Sequence, residues 1–369
     1  MKLNKLTMSK HFIILLTSIT LISSLSVLSA EDYFNTFAEN KARVVEKRGN
    51  SKNYFFLNAI NKDKVEIIPA NATDQKMEMD ASSVDYEIEN TKDLVNARRY
   101  LAKKDFKSAI KLLRPIAYPY VDFVSLPEKN VRIHAVVAML LDTILQLNQY
   151  EEAYQIFTHI PMEDVSAEFV DHSIETIRGL VLSDKVSEAV EMIGNIPVGS
   201  DKKMYIGEIV GATNMLHEKE RYDDAIGIYE KLQLYLRGTD YEKEVFLWIA
   251  YCKIKLNDAQ GSKYYTEKVG NLKIGDREYS LLQLIEALLL LNDKNYMDAI
   301  KHSAKAVVYC DRGNNWMPEL LYTTALCYGM TTKPPVAIQI ADEISLFYPD
   351  SVWATKGKEL KDKMAIKLK

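Results

Sequence analysis

Beyond its first thirty residues the chain carries five histidines, His134, His159, His172, His217 and His302, and their spacing limits the chemistry they can share. "HEKER" at 217–221 begins like a zinc-binding helix, but Arg221 stands where a second histidine would have to share the helix face. Paired carboxylates, Glu151 with Glu152 and Asp223 with Asp224, have the side chains a glycosidase uses. Each pair falls just before a small residue at the start of a helical stretch, where acids favour the positive helix end, so helix starting and solvation are the expectation. "DKNYMDAI" sets Asp293, Asn295 and Asp298 at calcium-loop intervals, yet lacks the glycine and closing glutamate of such a loop and reads as a turn between helices. No glycine-rich phosphate loop and no G-x-S-x-G elbow occurs. The sequence therefore assigns no catalytic residue, no metal ligand and no cofactor, and the expectation is a protein that is not an enzyme.

Charge and cysteine usage narrow the class further. Lys2, Lys5 and Lys10 precede the apolar run "FIILLTSITLISSLSVLSA", which is interrupted by Ser and Thr and ends at Ala30, the pattern of a secretory signal peptide over residues 1–30. Its removal leaves 44 basic and 51 acidic residues, a formal charge of −7, which disfavours nucleic acid as a partner. With the leader cleaved, no integral membrane span is expected, and the chain is expected to be exported, periplasmic or secreted. Cys252, Cys310 and Cys327 form no disulfide framework and read as small buried hydrophobes. Trp248, Trp316 and Trp353 read first as packing between helices.

These residues need elements to hold them. Tyr33, Phe34, Phe37, Val44 and Val45 recur at helical spacing, which predicts a short amphipathic helix over 31–48. "NYFFLNAI", "KVEII", "KMEM" and "SVDYEI", separated by turn-forming clusters, predict three or four strands over 49–90, either a small sheet or a barrel of SH3-like type.

From about Thr91 a motif recurs: "KKDFKSA", "LNQYEEA", "SDKVSEA", "KERYDDA", "NDAQGS", "DKNYMDA" and "TKPPVA" end at Ala109, Ala153, Ala189, Ala225, Ser262, Ala299 and Ala337. The intervals are 44, 36, 36, 37, 37 and 38 residues, the mark of a repeat array. The small residue lets two helices approach, and Phe106, Tyr150, Tyr222 or Tyr296, three positions earlier, fills the space beside it. Ala259 takes that place in the unit marked by Ser262.

Over about residues 91–360 the chain resembles the tetratricopeptide repeat (TPR) family, as in "YEEAYQIFTHIP", where Tyr150, Ala153, Phe157 and Pro161 follow the family's order; the units here are longer than the family's usual period. The resemblance implies a mainly α fold, a right-handed solenoid of about seven antiparallel helix pairs over 91–369, closed by "SLFYPDSVWATKGKEL" as a last unit and a solvating helix. It also implies a concave face lined by each pair's first helix. Counting back from the marks places Asp171, Arg178, Asn214, His217, Glu244, Tyr251, Lys255, Glu319 and Tyr322 there, with Leu281, Leu284 and Leu288 either a greasy anchor or ordinary core. The implied function is an exported, non-catalytic scaffold or adaptor that holds a partner protein or extended peptide, such as an envelope protein. The alternative is a carbohydrate-binding or carbohydrate-cleaving protein built on helical pairs, and self-association through the terminal units stays open.

Overall fold

The structure is a computed structural model that describes residues 36–37, 41–48, 51–61, 63–81, 86–89, 91–126, 133–198, 205–331 and 333–367. The leader expected over 1–30 lies outside these residues. The chain divides into two compact units, 1–173 and 174–369.

In the first unit five strands, β1 (Ala42–Arg48), β2 (Ser51–Asn61), β3 (Lys64–Pro69), β4 (Met77–Asp80) and β5 (Tyr86–Ile88), form one antiparallel sheet in the order β4-β3-β2-β1-β5. Alternation puts one row inside: Ala42 pairs with Leu57 and Leu57 with Ile67, and all three are buried. The helix expected over 31–48 is corrected here. Thr36 and Phe37 are helical, but the chain is a strand from Ala42, so the sheet starts before residue 49. The reason is tertiary. Val44 lies between Phe55 of β2 and Ile88 of β5, and Val44 and Val45, on opposite faces of a strand paired on both edges, are both buried.

The helices follow as α1 (Lys92–Ala102), α2 (Phe106–Ala117), α3 (Ile133–Gln146), α4 (Tyr150–Phe157) and α5 (Ala167–Leu182), which runs through the division between the units. A 3-10 turn, Tyr118–Phe123, follows α2 and takes up part of the longer first repeat interval. The Tyr120 hydroxyl donates to the Arg43 carbonyl at 2.5 Å, which ties β1 to this turn. Beneath it, Arg114 donates from Nε (2.8 Å) and Nη2 (2.6 Å) to the two oxygens of Glu152, and Tyr118 adds a third bond at 2.7 Å. Glu152 is therefore a buried ion-pair partner and not the solvated helix-starting acid expected of it.

The second unit continues with α6 (Val186–Asn195), α7 (Ile206–Glu218), α8 (Tyr222–Leu236), α9 (Glu242–Lys255), α10 (Ala259–Val269), α11 (Tyr279–Asn292), α12 (Tyr296–Tyr309), α13 (Met317–Gly329), α14 (Pro334–Phe347) and α15 (Val352–Lys367). Odd-numbered helices up to α13 open a pair, even-numbered ones close it, and α15 stands last.

One turn repeats through the array. Lys104, Asn148, Asp184, Glu220, Asn257 and Lys294 all have φ between 55° and 64°, each five positions before a mark. The next amide in each case bonds back five residues, as Asp105 to Tyr100 and Asn295 to Leu290, which closes the first helix with a left-handed C-terminal cap. The residue four before the mark then starts the second helix, where Asp105, Asp258 and Asn295 cap it with their side chains. All seven marks, Ala109, Ala153, Ala189, Ala225, Ser262, Ala299 and Ala337, are fully buried at 0% exposure. The helical region is thus an array of TPR-like helix pairs, and in the second unit α9, α11, α13 and α15 lie side by side.

Candidate functional site

The second unit gathers polar and aromatic side chains from helices far apart in sequence. α7 supplies Asn214 and His217; α9 supplies Trp248, Tyr251 and Lys255; α13 supplies Glu319; α15 supplies Trp353 and Lys356. Tyr222 and Tyr229 come from α8. The His217 ring sits 4.9 Å from Trp248, 5.1 Å from Tyr251 and 6.2 Å from Tyr222 between centroids. Tyr229 donates to Asn214 Oδ1 at 2.5 Å and approaches His217 Nε2 at 3.2 Å, while Cys252 Sγ lies 3.4 Å from the same nitrogen.

Glu319 is the charged centre. Tyr251 donates to its Oε2 and Lys255 to its Oε1, each at 2.5 Å, although α11 intervenes in the chain between these helices. Lys255 also lies over the Trp353 ring at 5.0 Å, and Lys356 lies over it at 4.5 Å. Lys356 reaches Glu220 at 3.5 Å. A cavity of about 50 Å³ opens among Asn214, His217, Tyr222, Trp248, Trp353 and Lys356, enough for a few water molecules or one small group.

Burial sets the protonation states. It pulls His217 down to about 3, with the Lys255 charge adding to the effect, so the ring is neutral across the physiological range. Burial raises the Cys252 thiol and the Tyr251 and Tyr229 phenols well above their ordinary values, so all three stay protonated. A neutral ring with so low a pKa is a weak general base, and both Glu319 oxygens are occupied. The arrangement offers donors, acceptors and ring faces for recognition.

Of the residues expected on this face, Asn214, His217, Tyr251, Lys255 and Glu319 meet in this cluster, and Tyr322 joins it through its ring, 5.2 Å from Trp353. Glu244 stands behind it, buried, accepting from Trp248 Nε1 at 3.2 Å and paired with Arg277 at 3.0 Å. Asp171 belongs to the first unit and is exposed; Arg178 is exposed and faces Glu175 on its own helix at 3.9 Å. Leu281 and Leu284 are fully buried core and form no anchor pocket. The expectation missed Trp353 and Lys356, because α15 carries no repeat mark to count from, and missed Tyr222, which had been given only a packing role. "DKNYMDAI" is the α11–α12 turn, with Asn295 capping α12. Among the described residues no group of three His, Cys, Asp or Glu side chains could hold a metal ion, and no described helix is long and apolar enough to cross a membrane.

No protein-family model matches the chain, and no curated relative matches it. Among solved structures it is similar to YrrB, described as a TPR protein with an unusual peptide-binding site, at 17% identity over 51% of this chain and 91% of that one, with a TM-score of 0.28. It is also similar to the APC/C hetero-tetramer Cut9–Hcn1, at 14% identity over 74% of this chain and 55% of that one, with a TM-score of 0.32; it thus spans about half of that chain's length. The TPR domain of P58(IPK) is similar at 16% identity over 73% of this chain and 77% of that one, with a TM-score of 0.23. At such TM-scores the functional reading rests on the chain's own geometry.

Proposed function

We propose that this array of TPR-like helix pairs is an exported, non-catalytic interaction protein that holds an extended segment of a partner protein, such as an envelope protein, on the first-helix face of its second unit. The observation that carries the reading is the cluster around Glu319: five helices contribute amide, imidazole, carboxylate, ammonium and aromatic groups beside one small cavity. Mixed polar and aromatic surfaces of this kind suit polypeptide recognition, where aromatic anchors supply energy and polar groups supply register. The leader-like pattern over 1–30 supports export.

A carbohydrate-cleaving reading would need a carboxylate free to exchange a proton beside the rings. Glu319 is engaged by Tyr251 and Lys255, and Glu220 is drawn to Lys356, which favours recognition over proton transfer.

The test is selection of a displayed random dodecapeptide library on the purified protein, followed by affinity measurement with Trp353→Ala and Lys356→Glu, both checked for fold by circular dichroism. Enriched peptides that lose about tenfold or more in affinity in a folded variant support the reading. Failure to enrich any peptide, or affinity unchanged in both variants, refutes it. Fusion of residues 1–35 to a reporter active only after export tests the location.

A further inference from the structure

Lys356, at the edge of the polar cavity, also stands on the rim of a larger one. α13 and α15 leave between them a groove of about 440 Å³, walled by Tyr322, Leu326, Met330, Leu360, Met364 and Ile366. That volume falls within the range of ligand-binding clefts, about 300–1,000 Å³. Leu360 and Met364 are nearly closed off and form its floor, whereas Met330 and Ile366 are 46% and 73% exposed. The floor is closely packed: a Cβ on Gly329 would stand 2.8 Å from Met364 Sδ, so a larger residue there would make the Met364 side chain shift.

The groove extends the same row of repeat positions as the polar cluster. Leu326 and Met330 stand eleven and seven residues before Ala337, as Tyr251 and Lys255 stand before Ser262. At these two repeat positions the first-helix face therefore changes from polar and aromatic on α9 to apolar on α13, and the Tyr322–Trp353 ring pair lies between the Glu319 cluster and the groove. Three charged side chains edge the groove, Lys356, Lys363 and Glu359; Lys356 also reaches Glu220, so Lys363 is the exposed ammonium on this rim.

We propose that this groove takes a large apolar side chain of the bound partner segment, with an acidic residue beside it in the segment meeting Lys363, or Lys356 in exchange for Glu220. The ligand is then an extended peptide in which a Leu, Met or Phe type of side chain adjoins Asp or Glu. Apolar burial supplies the affinity, and the two ammonium groups set the register and disfavour basic segments. This rests on the reading that the first-helix face binds polypeptide.

The probe is the top peptide from the dodecapeptide selection, together with a copy in which each acidic residue is replaced by lysine. Both are titrated into the full chain carrying ¹³C-methyl methionine. Saturable movement of the Met330 and Met364 methyl signals with the selected peptide is expected, with affinity at least tenfold weaker for the lysine copy and for Met330→Lys, whose exposed position spares the fold. Selected peptides lacking an acidic–apolar pair, or binding that Trp353→Ala weakens but Met330→Lys leaves unchanged, overturn the groove assignment while the proposed function stands. Concentration-dependent dimerisation abolished by Met330→Lys overturns it in favour of a second copy as the occupant. Failure of the library to enrich any peptide removes the proposed function and this inference together.

Discussion

Glu319 and Tyr251 stand 68 positions apart in the chain, yet the phenol donates to the carboxylate at 2.5 Å within a buried part of the second unit. With Lys255 on the other oxygen, the two first helices are pinned together across α11. Tyr251→Phe removes one of the two bonds and is expected to cost about 1 kcal/mol. Glu319→Ala leaves Lys255, whose side chain is 20% exposed, without its partner and is expected to cost about 2–3 kcal/mol. Urea unfolding of the two variants checks the order; equal losses would mean that Lys255 draws little from Glu319.

The buried pair Arg114–Glu152 makes a sharper case in the first unit, since the two side chains are only 10% and 4% exposed. Arg114→Ala is expected to destabilise by about 3–5 kcal/mol, because the buried Glu152 loses its ion-pair partner. The double change Arg114→Met with Glu152→Leu is expected to recover most of that loss. A double-mutant cycle by denaturant unfolding measures both.

His172 gives the first unit a pH dependence. Burial pulls its pKa down, but the hydrogen bond to Asp142 at 2.8 Å, the Asp142 charge and then Glu168 outweigh burial, and the net shift is upward from 6.5. A raised folded value means that the stabilisation is fully present below about pH 6.5 and is lost as pH rises through the folded pKa. The Tm difference between wild type and His172→Gln is therefore expected to be larger at about pH 5.5 than at about pH 8.5. A difference independent of pH would show that the ring contributes by packing alone.

The repeated left-handed turn predicts a ranking of substitutions. Lys294, exposed at φ 59°, has no glycine to ease that conformation. Lys294→Gly is expected to be neutral or stabilising, by up to about 1 kcal/mol, and Lys294→Val destabilising by about 1 kcal/mol or more. Thermal unfolding of the pair tests it, and Val ranking above Gly would contradict the assigned turn.

Thiol reactivity follows from burial. Cys252, Cys310 and Cys327 are all free and buried, with Cys327 pushed up to about 11 and Cys252 raised further. Labelling with a disulfide reagent at about pH 8 is expected to be slow in the native protein and to reach all three thiols in denaturant. Rapid native labelling of Cys252 would show that the His217 cluster opens readily.

The amino-acid sequence by itself determined the helix pairs. Their signals are local: a small residue every 36 to 44 positions, a turn five residues earlier and apolar stretches on either side, all of which act within one helix pair. The same counting gave nine first-helix positions, of which Asn214, His217, Tyr251, Lys255 and Glu319 meet in one cluster, whereas Asp171 and Arg178 stand exposed apart from it. Tertiary structure alone decided the rest. Val44 and Val45 have helical spacing relative to Phe37, and only pairing with Phe55, Tyr54 and Ile88 makes them a strand. Glu152 has the local setting of a solvated helix-starting acid, and only the arrival of Arg114 from 38 residues away buries it as an ion pair. Trp353 and Lys356 lie in a helix outside the repeat register, so their place beside Glu319 depends on how α15 docks against α13 and α14, a packing outcome that no spacing in the chain encodes.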